Sequence, residues 1–329
     1  MESLTEARMW HPVAQSTALQ AAPLGVQLLG QSVVLWRDDA GTAHAWADQC
    51  PHRGAKLSLG RVCSGHLECP YHGWQFAADG ACIKVPALPG FVPPDGHAAR
   101  VFGVEEHYGL LWVQLEADPT RTVPPFAAES DGGLRKVLCG PYDVATSAPR
   151  IVENFLDMAH FGFVHEGWLG MREATAIDDY TVEPTPTGLR ATQCKAWQPQ
   201  SNVHSTAPAQ VEYTYEVVAP YTAVLTKVPD AASVALQGFR ESIALFICPT
   251  TPETSRVWFR LAMADFESPD AKLQDFQHTI FMQDKPVLES QTPQCLPLDV
   301  RAEVHTAADK ASSAYRRFLK QERITFGVC

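Results

Sequence analysis

The sequence predicts an α+β protein: a small N-terminal β-domain carrying metal-binding loops, then a catalytic domain of curved antiparallel sheet with flanking helices. Three observations predict this. Over residues 1–118, short β-like runs alternate with turn signals, and two Cys/His pairs sit between them. Residues 119–133 carry three prolines and few aliphatic side chains, which marks a linker. Residues 134–329 then hold several strand-like runs bracketed by two helical stretches, enough chain for a second core.

In the first segment, 26–29 and 33–36 are apolar β-like runs. The turn Asp38-Asp39-Ala40-Gly41 separates the second from 44–48, giving a hairpin that delivers the chain to Cys50. Gln75-Phe76, the turn Ala78-Asp79-Gly80 and residues 81–85 form another hairpin, and 109–115 reads as a buried strand. In the second segment, Pro149 suits a first-turn position, and Ile151, Phe155 and Met158 repeat at helical spacing, so a helix is expected over 149–160. The runs 211–218, 221–228, 241–248 and 256–263, punctuated by Pro220, Pro229 and Pro249, read as the strands of the sheet. Ser268-Pro269-Asp270 carries helix-start signals with Ser268 as the cap. Leu273, Phe276, Ile280, Asp284, Val287 and Leu288 then fall on one stripe, and Pro286 should kink it.

The pairs at 50–72 carry the first chemistry. Cys50 with His52 and Cys69 with His72 offer two thiolates and two imidazoles on two loops. Structural zinc sites use unmixed pairs, Cys-x2-4-Cys with His-x3-5-His. Mixed pairs suit a Rieske [2Fe–2S] cluster, with Cys50 and Cys69 on one iron and His52 and His72 on the other; zinc or plain packing are the alternatives. Gly54, Gly65 and Gly73 permit tight turns there. Trp74 either shields the cluster or is ordinary core, His66 reads as a surface-loop histidine, and Cys63 as packing.

The totals narrow the class. A net charge of −11 argues against nucleic acid, which needs a basic footprint. No run of 18 apolar residues is present, so no membrane-spanning helix is expected, and the N-terminus lacks a basic-then-apolar leader pattern. Nine cysteines, an odd number without small-scaffold spacing, suggest reduced thiols in a cytoplasmic setting.

A second centre is suggested by His160 and His165, a weak His-x4-His signal on its own. On one ideal helix they would point about 140° apart, so the helix must end or distort between them, where Gly162 lies. Asp284 lies in an apolar stripe, where an unpaired carboxylate is costly. It is either hydrogen-bonded locally or a third ligand. Two histidines and a carboxylate leave open positions on a non-haem iron, and a Rieske cluster would feed it electrons.

The residues Cys50-x-His52, Cys69-x2-His72, Asn154-x2-Asp157-x2-His160-x4-His165 and the stretch from Asp284 to Gln291 resemble the oxygenase component of Rieske non-haem iron oxygenases. The resemblance covers nearly the whole chain. The HPVA, DKPVLESQ and AYRRFLK stretches are similar to the methylxanthine N-demethylase and vanillate O-demethylase branch, and the ending from Ile324 to Cys329 also resembles the saxitoxin-tailoring hydroxylases. The resemblance implies mononuclear Fe(II) on His160, His165 and Asp284, with Asn154 nearby. It implies that Asp157 bonds His160 and reaches His72 of a neighbouring subunit in a homotrimer, a carboxylate link that fixes tautomers and shortens the electron path. It further implies O2, a small aromatic or heterocyclic substrate, and electrons from a separate NAD(P)H-dependent reductase or ferredoxin, since no nicotinamide- or flavin-binding glycine fingerprint is evident. The expected outcome is C–H hydroxylation or oxidative N- or O-demethylation. The competing outcomes are cis-dihydroxylation of an arene and, outside catalysis, a Rieske electron-transfer protein. Trp168, Leu169 and residues 221–228 and 243–246 are the expected pocket.

Overall fold

The first unit, Met1–Val123, contains two antiparallel sheets among its described residues. The computed structural model describes residues 4–199, 208–229 and 241–329. Strands β1 (His11–Gln15), β2 (Leu24–Leu28), β3 (Gln31–Arg37) and β4 (Ala43–Ala47) are followed by β5 (Arg61–Cys63), β6 (His66–Glu68), β7 (Gln75–Phe76) and β8 (Cys82–Lys84), then β9 (Val101–His107) and β10 (Leu110–Gln114). The six-stranded sheet runs β1-β10-β9-β4-β3-β2, and the four-stranded sheet β5-β6-β7-β8. Both expected hairpins form, β3 with β4 and β7 with β8. Trp36, Trp46 and Phe76 meet edge to face in the core, which also takes in Cys50 and Cys69. Cys50 and Cys69 therefore belong to the packed interior. His66 is not on a surface loop: it lies half-buried on β6 with Nδ1 enclosed.

The second unit is Pro124–Cys329. The break falls inside the expected linker, and the later part of that stretch is packed: Phe126 is buried edge-on against Phe246, and Glu129 pairs with Arg260 at 2.6 Å. Seven strands, β11 (Arg135–Val144), β12 (Thr181–Thr185), β13 (Gly188–Gln198), β14 (Ala209–Ala219), β15 (Thr222–Pro229), β16 (Glu241–Thr251) and β17 (Thr254–Met263), form one antiparallel sheet ordered β11-β17-β16-β15-β14-β13-β12. The near-continuous apolar run Ile243-Ala244-Leu245-Phe246-Ile247-Cys248 is explained by β16 being buried on both faces.

Four α-helices accompany the sheet among the described residues: α1 (Ala148–Phe155), α2 (Phe161–Val164), α3 (Asp270–Ser290) and α4 (Lys310–Gln321). The helix expected to reach residue 160 stops at Phe155. Beyond it, the Asp157 carboxylate accepts from the N–H of Ala159 at 2.8 Å, a local turn that competes with continued helix. Ser268 does not cap α3; Pro269 holds that position, and Asp265 accepts instead from the N–H groups of Glu267 and Ser268. α3 runs through Pro286 to Ser290, with Gln277 and Phe281 on its buried stripe and Val287 half-exposed. Arg150 and Arg316, both buried, pair with Glu153 and Glu303 and tie α1 to α4.

Candidate metal centres and cavity

The two Cys/His loops of the first unit share one backbone design. Cys50 N–H donates to Ala55 O and Gly54 N–H to Cys50 O, each at 2.8 Å; Cys69 N–H donates to Trp74 O at 2.8 Å and Gly73 N–H to Cys69 O at 3.1 Å. Each loop needs its fifth residue in the left-handed region, met by Gly54 (φ 72°) and Gly73 (φ 69°). Cys-Pro-His-Arg-Gly and Cys-Pro-Tyr-His-Gly are thus two copies of one turn, differing in which position bears the imidazole.

These loops present four soft donors together. Cys50 and Cys69 are buried, and the His52 and His72 rings lie 4.6 Å apart. Burial pushes the Cys50 thiol up to about 12, reinforced by the neighbouring Cys69 sulfur and partly offset by the N–H groups of His52 and Arg53. His52 Nδ1 is enclosed without a hydrogen-bond partner. An orphaned imidazole nitrogen beside two buried sulfurs fits a bound metal cluster. Trp74 stacks on His52 (4.5 Å, 5°) and His97 on Trp74 (5.3 Å, 9°), so Trp74 covers the ring of a candidate ligand directly.

In the second unit, His160, His165 and Asp284 offer ligand atoms all within 4.8 Å of one another. Nε2 of His160 and of His165 lie 3.5 and 3.2 Å from Asp284 Oδ1. The other nitrogen of each ring is engaged: His160 Nδ1 donates to Asp157 at 3.0 Å, and His165 Nδ1 to Gln283 Oε1 at 2.8 Å. With both Nδ1 atoms protonated, both Nε2 atoms are lone-pair donors aimed at a carboxylate. Three such donors without a proton among them fit a cation. Burial works against ionisation of Asp157, but His160 and the N–H groups of Ala159 and His160 outweigh it and hold the carboxyl below its usual range. Asn154, the last-but-one residue of α1, donates to Asp284 Oδ1 at 3.4 Å.

Local backbone sets the histidine spacing. α2 is a single short turn, and Gly170 lies against it so closely that a Cβ there would sit 2.5 Å from Phe161 C and 2.6 Å from Gly162 N. Gly162 is also tight, its Cβ position 2.8 Å from Met171 O. The distortion expected near Gly162 is therefore a backbone-to-backbone clamp.

A cavity opens beside this trio. His160, His165 and Asp284 line it, with Phe155, Tyr213, Tyr215, Ile243, Phe276 and others. Of the expected pocket, Leu169, Leu225, Lys227, Ile243 and Leu245 line it. Trp168 does not; its ring meets Phe276 edge-on at 5.7 Å. Sequence reasoning missed Gln283, Gln277 and the tyrosines. It also named Glu241 only as a residue inside a strand; the one available signal was a charge in an otherwise apolar run.

A β-domain with two Cys/His turns, followed by a two-histidine, one-carboxylate centre at an apolar cavity, defines a Rieske-type non-haem iron oxygenase. Residues 9–101 match the Rieske [2Fe-2S] domain family, and residues 144–323 match the vanillate O-demethylase oxygenase C-terminal domain. The chain is 33% identical to methylxanthine N1-demethylase NdmA of Pseudomonas putida over 95% of this chain and 88% of that protein. The solved structure of NdmA superimposes with a TM-score of 0.81 at 32% identity, covering 96% and 90% of the two chains. A probable methylxanthine N7-demethylase of Pseudomonas sp. (strain TJI-51) is 40% identical over 67% of this chain and 77% of its own. Dicamba monooxygenase, solved with non-haem iron and dicamba, shares the fold at 23% identity (TM-score 0.77, 97% of both chains).

The chain belongs to the Rieske non-haem iron oxygenases, within the group bearing the vanillate O-demethylase C-terminal domain. It is an enzyme of that class, whose cofactors are a Rieske [2Fe–2S] cluster and a mononuclear iron. No helix among the described residues is long and apolar enough to cross a membrane.

Proposed function

We propose that this chain is the oxygenase component of an O2-dependent demethylase that removes an N- or O-methyl group from a small aromatic or heterocyclic substrate. The observation that carries the reading is that the three convergent ligands form part of the cavity wall, so a bound methyl group and a bound metal share one space. Relatives named as methylxanthine demethylases support the choice of demethylation.

Cys50, His52, Cys69 and His72 hold the [2Fe–2S] cluster, and His160, His165 and Asp284 hold the iron. When bound, the cluster supplies single electrons and the iron a place for O2 reduction beside the substrate. The chain's own residues do the rest. Asp157 and Gln283 keep the two imidazoles in the tautomer that frees Nε2, and Asn154 steadies the Asp284 carboxylate. Phe155, Phe276, Ile243 and Leu245 exclude water and seat an apolar ring. The reaction balances as R–CH3 + O2 + 2 e⁻ + 2 H⁺ → R–H + HCHO + H2O, through a hydroxymethyl group that collapses to formaldehyde.

The electrons come from NAD(P)H through a separate reductase or ferredoxin. Asp157 is about one-third exposed and His72 lies on the surface, which supports a carboxylate bridge between neighbouring subunits of a homotrimer. The domains divide as 1–118, a connecting stretch at 119–133, and 134–329, and the protein works in the cytoplasm.

The test is His160→Ala in the purified protein with a surrogate reductase and a panel of methylated aromatics and N-heterocycles. Loss of mononuclear iron and formaldehyde release, with the Rieske spectrum retained, is expected. Undiminished turnover would remove His160 from the site, and a diol carrying both atoms of 18O2 would replace demethylation by dihydroxylation.

A further inference from the structure

One polar row interrupts the apolar lining of the cavity. Tyr213 on β14 lies opposite Lys227 on β15, and Lys227 lies opposite Glu241 on β16. All three side chains reach the cavity. Two residues along each strand, the next row on the same face is Tyr215, Leu225 and Ile243, which also lines it. Apart from the metal-binding trio, Lys227 and Glu241 are the charged members of the described lining.

This ion pair is shut away from water, its side chains 6% and 8% exposed. Desolvating an ammonium and a carboxylate costs about as much as their attraction returns, and an apolar pair of similar volume serves a fold as well or better. The fold alone therefore does not explain the pair. Glu241 Oε2 contacts Lys227 Nζ, and the carboxylate keeps further lone pairs to offer a ligand. Burial, with the Glu241 carboxylate adding to it, raises the Tyr213 phenol, so that hydroxyl stays protonated. The wall thus sets a donor beside an acceptor with no net charge. Such a wall matches a ligand edge that sets an acceptor beside a donor: a ring carbonyl next to a ring N–H. A ligand carboxylate would gain Lys227 but meet the like charge of Glu241.

We propose that Lys227 and Glu241 are the specificity-determining pair of this cavity, selecting a neutral heterocycle with a lactam or imide edge over a carboxylate-bearing arene. This rests on the cavity being the demethylase substrate site. The test uses the holoenzyme with cluster and iron in place and three probes. Theobromine has a ring N–H between two carbonyls; caffeine has that N–H methylated; 4-methoxybenzoate has a methyl ether and a carboxylate. Equilibrium binding is measured by calorimetry and formaldehyde release is measured separately.

Wild type should bind theobromine at least about tenfold more tightly than either other probe, because a site built to hydrogen-bond an N–H rejects the analogue lacking it. Glu241→Gln, which leaves the cation uncompensated, should improve 4-methoxybenzoate binding by about tenfold. The Lys227→Met/Glu241→Leu double variant should lose the ranking while keeping iron content. Equal binding of theobromine and the benzoate by wild type, an unchanged ranking in the variants, or binding of none of the three overturns the proposal. Should the double variant not fold, the wild-type ranking and Glu241→Gln decide. The expected ranking without formaldehyde from any probe would sink the demethylase reading and leave the pair standing; formaldehyde without the ranking would do the reverse.

Discussion

The two candidate metal-binding regions solve one problem by different means. In the first unit, the ligands ride on two matching backbone turns whose hydrogen bonds close within six residues, and the His52 ring is steered by stacking on Trp74. Its Nδ1 has no hydrogen-bond partner among the described residues. In the second unit, each candidate ligand is steered by another side chain: Asp157 holds His160, Gln283 holds His165, and Asn154 holds Asp284. The difference teaches where each site is vulnerable. A backbone-built site depends on its glycines and its metal, whereas a side-chain-built site depends on partners spread over α1, α3 and the turn after α1.

The largest effect should come where the second site itself leans on backbone. Gly170→Ala puts a methyl group into the backbone of residues 161–162, which must shift and carry His160 and His165 apart. Iron analysis should find the mononuclear iron gone and turnover abolished, with the Rieske absorption unchanged. Full iron occupancy would show that the clamp does not set the spacing.

Next is Gln283→Leu, which frees the outer nitrogen of His165. Outer partners of this kind are worth about 10–100-fold in metal affinity or activity, so iron affinity should fall in that range while Gln283→Glu retains it. Equal affinity in both variants would erase the contrast between the sites.

Metal removal sharpens the same contrast. Chelating the mononuclear iron leaves ligands still held by Asp157, Gln283 and Asn154. Destroying the cluster leaves two buried thiols in the core of the first unit and an enclosed, unpartnered His52 nitrogen beside them. Calorimetry should therefore show a larger fall in unfolding temperature on cluster loss than on iron loss; the opposite order would reverse the comparison.

The smallest effect is on acid stability. Burial opposes ionisation of Glu303, yet Arg150 and Arg316 bring its carboxyl down from 4.5 to about 2. Because the folded value lies below the unfolded one, this stabilisation is complete above pH 4.5 and is lost as pH falls toward 2. Glu303→Gln should lower the unfolding temperature at pH 6 and flatten its decline between pH 4.5 and 2. An unchanged acid slope would remove Glu303 from that network's balance.

Much of the first site was legible because its chemistry is local. Cys50, His52 and Gly54 lie within five residues of one another, as do Cys69, His72 and Gly73, so spacing alone describes the turns. Asp284 was legible for another reason: a carboxylate inside an apolar stripe requires compensation. The early end of α1 was not, because the Asp157 carboxylate that turns the chain at Ala159 also suits a helix surface. Nor was Gln283, whose partner His165 is 118 residues away. Lys227 and Glu241 lie in separate expected strands, and only the pairing of those strands places them opposite each other.

That pairing has a consequence for the cavity wall. On the other face of β15 and β16, the hydroxyl groups of Thr226 and Ser242 meet at 3.1 Å, directly beside the Lys227–Glu241 row. Because strand side chains alternate, a slip of one residue in both strands would exchange an ion pair for two hydroxyls in the cavity without altering a single amino acid. The ion pair's place in the cavity thus depends on which face each strand turns inward, so one inserted residue in each strand would remove it.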